Sequence, residues 1–317
     1  MIPIKSLLAA ALFLNAMPSS AVLLTADYSS LGTVYQDGSG QLFNSAGVGR
    51  TDVTDIFKAN VTTAMTYWDN AVLLPWNQTI SFKLFDLTAS SAVGDSHIDT
   101  FDANNRPHTS TIRVDDGSVA FFIDPTPQDN AEFAIASTTA ALGGGTVNIG
   151  RFGAATSSPA DSGYDLLSLL LHEMEHSLGF SSGTTRWDNV INAAGDTLTV
   201  PTSVSGLPSS YDIPINGTHI DGVAQNGLFN NTSIALPGFN SGERALLTGV
   251  DIQAICTIEG CAPDQMNTNP SAFALTVPEP GTLPLVGLAI AGLGFMGTYR
   301  RRGASQGGYC RDAEDRK

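Results

Sequence analysis

Apolar residues recur at helical spacing over residues 51–72, where Val53, Ile56, Phe57, Val61, Ala64, Met65 and Trp68 share one face. Thr51 or Asp52 can cap the start of that helix. Alternation then takes over: Ile80–Phe85, Thr111–Val114 and Val119–Ile123 read as strands. Thr146–Phe152 reads as another, entered through the turn-forming or bulge-forming run Gly143-Gly144-Gly145. A leucine-dense helix follows over 163–178, starting near Asp161 and Ser162 and stopped by Gly179. Residues 181–240, rich in Asn, Gly, Ser and Thr, carry no period and read as irregular. A last helix is predicted over 242–255, with Leu246, Leu247, Val250 and Ala254 on its apolar side. The order predicts an α+β domain over residues 22–265, with helices, a sheet and an irregular C-terminal half.

The two ends carry addresses. Residues 1–21 read as a signal peptide: Lys5 gives the positive start, Ser6–Met17 the apolar stretch, and Ser19-Ser20-Ala21 the small residues for cleavage. A linker over 266–276 leads to Val277-Pro278-Glu279-Pro280-Gly281-Thr282, an apolar run Leu283–Tyr299 and Arg300-Arg301-Arg302. The run is short for a membrane span, and the arginines place its end in the cytoplasm, with residues 303–317 as a cytoplasmic tail. This order over 277–302 resembles the PEP-CTERM sorting signal. The resemblance implies a transient inner-membrane anchor, removal by an exosortase-type enzyme, and a final place at the cell surface or outside. A permanent single-span anchor is the alternative. Either way the membrane is met only through the C-terminal span.

Charge narrows the partners. The net charge is −15, and residues 22–299 hold 27 acids against 8 bases. Phosphate backbones need the opposite sign, so nucleic acid is not an expected partner. Asp99, Asp102 and Asn104 form a cluster in which calcium is conceivable, although their spacing is not that of an EF-hand and a solvated surface is the plainer reading. Of the three cysteines, Cys256 and Cys261 are close enough to bridge in an oxidising compartment.

The chemistry lies in His172-Glu173-Met174-Glu175-His176. Histidines at i and i+4 share a helical face and can hold one zinc ion. Glu173, one residue on, points beside the metal and can take a proton from water activated there. The bland alternative is a pair of core histidines bonded to backbone. Against it, two histidines and two glutamates in one turn of a buried helix are costly without a purpose.

The run His172–Ser181, with the element order around it, resembles the metzincin zinc metalloproteases, most closely the leishmanolysin branch, whose motif helix ends in a similar leucine-glycine-phenylalanine. The resemblance implies a twisted, mostly parallel sheet backed by helices. It also implies a sharp turn at Gly179 and a third histidine from the later half. The nearer metzincin position for that ligand is Ser182 here, and His219 is the one histidine downstream, with Asp221 placed to orient its ring. His97 and His108 are expected in exposed polar loops. The methionine turn of the family has only weak candidates, Met266 and Met296, or Leu236 before Pro237 in its place. The expectation is a zinc endopeptidase acting on protein or peptide substrates, with Glu173 as catalytic base and His172, His176 and His219 as ligands. Glu243, on the last helix, would complete the site in a glutamate-ligand class. A secreted surface or matrix binding protein with a structural metal is the rival from another class.

Overall fold

The structure is a computed structural model. It describes residues 22–29 and 50–272 apart from 86, 88–89, 91, 116–118, 230–233, 236–237 and 239, and gives backbone only for 50–54, 85 and 226. The signal peptide, the apolar run, Met296 and Leu236 lie outside the described residues.

In chain order, β1 (Leu23–Asp27) is followed by α1 (Arg50–Ala71), β2 (Asn77–Phe85), β3 (Gly94–Phe101), β4 (Pro107–Asp115) and β5 (Phe121–Phe122). A hairpin of β6 (Ala136–Leu142) and β7 (Gly145–Ala154) leads to β8 (Tyr164–Asp165) and the motif helix α2 (Leu166–Ser177). The later half holds α3 (Thr185–Val190), β9 (Thr197–Val200), α4 (Thr202–Ser205), β10 (Tyr211–Asn216) and β11 (His219–Ile220). It closes with α5 (Ala224–Gly227), β12 (Glu243–Ala245) and α6 (Gly249–Glu259).

The largest sheet runs β1-β2-β4-β3. Its first two pairings are parallel and β3 joins antiparallel at the edge, so it is mixed rather than uniformly parallel. Two further sheets, β11-β10-β9 and β12-β7-β6, are antiparallel throughout. The α+β class holds. The later half is not irregular, however: residues 197–220 fold as a small sheet whose strands are too short to show a period.

The main core explains why α2 is buried nearly all round. Phe57, Val61, Ala64 and Trp68 of α1 pack in one cluster with Leu167, Leu170, Leu171 and Met174 of α2 and with Ile80, Phe82 and Ile112 of the sheet. Trp68 also donates its indole N–H to the Leu171 carbonyl, 3.1 Å away. Every α2 residue except His176 is buried.

Buried polar contacts hold both ends of α2. The helix starts at Leu166, not near Asp161: Asp165 is its cap, accepting from the Ser168 N–H at 3.0 Å and the Ser168 hydroxyl at 2.6 Å. Arg244, without exposure, spans Asp165 (2.8 Å) and Asp124 (2.7 Å) and lies over the Phe133 ring. At the other end, Gln78 donates to the Ser177 carbonyl at 2.7 Å, satisfying one of the acceptors a helix terminus leaves open.

The expected last helix begins later, at Gly249, and Glu243 lies on strand β12. The domain also runs past 265. The Asn267 N–H bonds to Ala71, Arg151 to the Pro270 carbonyl and Asn70 to the Ser271 carbonyl, so chain up to Ala272 is folded in. Cys256 and Cys261 form a disulfide, closing the end of α6. Among the described residues no helix is long and apolar enough to cross a membrane.

Candidate metal centre

His172 and His176 stand one turn apart on α2, and the chain brings His219 to them from β11. That strand is two residues long and pairs back on β10, with Asn216 opposite His219. The ligand nitrogens of the three rings lie within 4.8 Å of one another, and theirs is the one such cluster among the described residues. The His172 and His219 rings stack at 5.2 Å, and His176 stands edge-on to both.

Hydrogen bonds fix which nitrogen faces inward. His172 Nδ1 is 2.7 Å from the Ile234 carbonyl, and His176 Nδ1 is 2.7 Å from the Phe180 carbonyl. A carbonyl only accepts, so each Nδ1 carries the hydrogen. Each neutral ring then presents a bare Nε2 lone pair, and the two Nε2 atoms are 3.1 Å apart. Lone pairs facing at that distance repel unless a cation lies between them. Two nitrogens on one tetrahedral zinc stand about 3.3 Å apart, close to the observed spacing. Burial and neighbouring rings disfavour a proton as that cation. Burial first, then His176, holds His172 well below its ordinary value, and the same two causes bring His219 down to about 4. The residues present therefore fit a zinc ion.

Glu173 faces the same cleft, of about 430 Å³, that the three histidines line. Burial and then the Asp95 carboxylate push its carboxyl up to about 8. A dication in the cleft acts in the opposite sense and favours the carboxylate. Strand β3 forms the facing wall, and Gly94 lets it come close. A Cβ at Gly94 would meet Leu169 Cδ1 at 2.8 Å and Glu173 Oε1 at 3.2 Å. Asp95, next along, is held by a forked pair with Arg113, at 2.7 Å for the Nε arm. Neither residue stood out in the sequence, because both faces of β3 are polar: Asp95, His97 and Asp99 on one, Gly94, Ser96 and Thr100 beside Ile98 on the other. Behind the histidines Gly179 turns the chain at φ +117, and a Cβ there would press on the buried Glu259 carboxylate at 2.9 Å.

Several expected residues stand elsewhere. His97 and His108 are exposed, but on strands β3 and β4 of the main sheet, not in loops before it. Asp221 does not orient His219; it accepts from the Val223 and Ala224 N–H groups and shapes its own turn. Glu243 accepts from Asn240 and lies outside the histidine cluster. Asp102 accepts from the Asn104 and Arg106 N–H groups, and Asp99 from Thr111, so these acids serve local turns and pairs. Met266 bridges to Val72 just past the end of α1, away from the cleft.

No curated protein matches the chain in sequence. Its C-terminal residues 276–302 match the PEP-CTERM protein-sorting motif. That motif marks an exported protein that transits the membrane with a C-terminal sorting signal recognised by an exosortase-type enzyme.

Proposed function

We propose that the protein is an exported zinc-dependent peptidase. The observation that carries this reading is the convergence of three imidazole nitrogens beside the Glu173 carboxyl in one open cleft. His172, His176 and His219 would hold the zinc. When bound, such an ion polarises a carbonyl and makes water acidic enough to attack at neutral pH.

The chain's own residues do the rest. Glu173 takes the proton of the attacking water and passes it to the nitrogen of the leaving amine. The Ile234 and Phe180 carbonyls keep both helical imidazoles turned inward. The β3 wall, brought close by Gly94, restricts water on the side of the base. The metzincin likeness of residues 172–180 accords with the turn at Gly179 and a third histidine drawn from the later half. Sorting would then cut the chain near Pro278–Gly281 and free the domain at the surface or beyond.

A structural metal site is closed by four protein ligands. Among the described residues three are gathered here, beside a cleft, and this favours the peptidase over the matrix-binding rival. Glu173→Gln tests the proposal. The exported variant keeps its zinc and loses at least about a hundredfold in kcat on an unfolded protein substrate. Equal activity in wild type and variant would contradict the assigned base, and zinc uptake without hydrolysis in either would favour the structural-metal rival.

A further inference from the structure

Asp251 is fully buried at the third position of α6, with no part in the cleft. Part of its role is local. Its Oδ2 accepts from the Thr248 N–H at 2.8 Å and the Thr248 hydroxyl at 2.7 Å, and Thr248 in turn caps the Asp251 N–H, a reciprocal helix cap. A cap needs nothing more. Yet the same carboxylate also reaches 16 and 17 residues back along the chain: Oδ2 accepts from the Ile234 N–H at 3.3 Å and Oδ1 from the Ala235 N–H at 3.4 Å.

The carbonyls of those two residues lead to the metal centre. Ile234 O accepts from His172 Nδ1 at 2.7 Å. Ala235 O accepts from the Ile220 N–H at 2.9 Å, and Ile220 follows His219 on β11. One dipeptide thus turns its N–H groups to Asp251 and its C=O groups to the supports of two histidines that come from separate elements. Ile234 and Ala235 are themselves buried, so these groups have no easy recourse to solvent.

We infer that Asp251 is a positioning residue for the metal centre, setting His172 and His219 together through Ile234–Ala235. The inference rests on the reading that the three histidines hold zinc. Outer partners of metal-bound imidazoles are typically worth ten- to a hundredfold in affinity, because ring direction follows the bond at the far nitrogen.

The test is zinc affinity of the exported protein, measured by competition with a chelator. Asp251→Ala should weaken zinc at least about tenfold. Asp251→Asn keeps the size and one acceptor and should fall between. Thr248→Ala removes the cap alone. It should lower the melting temperature yet leave zinc affinity within about twofold, since the bonds to 234 and 235 remain. A folded Asp251→Ala that binds zinc as wild type does would overturn the inference. So would a Thr248→Ala that weakens zinc equally, for then only the stability of α6 matters. If Asp251→Ala does not fold, Asp251→Asn decides, and wild-type affinity in it would overturn the inference.

A wild-type protein that takes up no zinc would sink the site reading instead. The positioning role is then read on metal-free protein by imidazole 15N spectra. The His172 Nδ1–H signal should persist in Thr248→Ala and shift or vanish in the Asp251 variants. An unchanged signal there would overturn it.

Discussion

His172 and His176 present their Nε2 atoms to each other across 3.1 Å, each with its Nδ1 hydrogen engaged by a backbone carbonyl. The two helical positions follow from a spacing of four; the inward turn of the rings does not. It depends on Phe180, just past the helix, and on Ile234, 62 residues away. A third ring from β11 then completes a set that suits a metal better than it suits three free imidazoles.

Removing one ring from a three-nitrogen site should cost zinc affinity by orders of magnitude. His172→Ala, His176→Ala and His219→Ala are each expected to do so in a chelator competition. Glu243→Ala should bind as wild type, since Glu243 sits on β12 bonded to Asn240. Loss of zinc in Glu243→Ala with retention in His219→Ala would move the chain to a glutamate-ligand class.

Arg244 bridges Asp165 and Asp124 with no exposure on its side chain. Arg244→Met would leave two buried carboxylates without their cation. Breaking such a set costs about 3–5 kcal/mol, so the urea midpoint should fall sharply. A change under about 1 kcal/mol would mean that the helix cap at Asp165 does not need the arginine.

Burial raises the Asp69 carboxyl to about 7, against a smaller opposing effect of the Leu24 N–H that it accepts. Below the unfolded value both states hold the proton and nothing is lost. Between about pH 4 and 7 the unfolded chain ionises while the folded one resists, so stability falls as pH rises; above 7 the loss is constant. Asp69→Asn keeps the acceptor and removes the charge. Its stability relative to wild type should therefore grow from pH 4 to 7, by on the order of 3 kcal/mol. A difference that stays flat with pH would contradict a raised value.

How much of this was legible in sequence depends on how local each signal is. His172, Glu173 and His176 are read within five residues, and His219 by being the one histidine downstream of them. The Cys256–Cys261 bridge needed only proximity and compartment. Strand β3 has no alternating signal because Asp95, His97 and Asp99 on one face alternate with Gly94, Ser96 and Thr100 around a single Ile98 on the other. Strands β9 to β11 were missed because they run two to six residues, with Pro214 inside β10. The links from Asp251 to Ile234 and from Arg244 to Asp165 join residues 17 and 79 apart and have no sequence signature at all.

The sorting motif over 276–302 predicts a defined end for the released protein. Mass spectrometry should find a terminus near Pro278–Gly281, leaving the folded chain up to Ala272 intact. Released protein that still carries Tyr299 and Arg300–Arg302 would contradict removal of the tail.

The zinc proposed at His172, His176 and His219 is tested by a crystal of the exported protein grown with zinc and measured across the zinc absorption edge. A single anomalous peak is expected, about 2.0–2.1 Å from the Nε2 atoms of His172, His176 and His219 and beside the Glu173 carboxylate. No peak there at full zinc supply, or a peak that leaves out His219, would contradict the proposal.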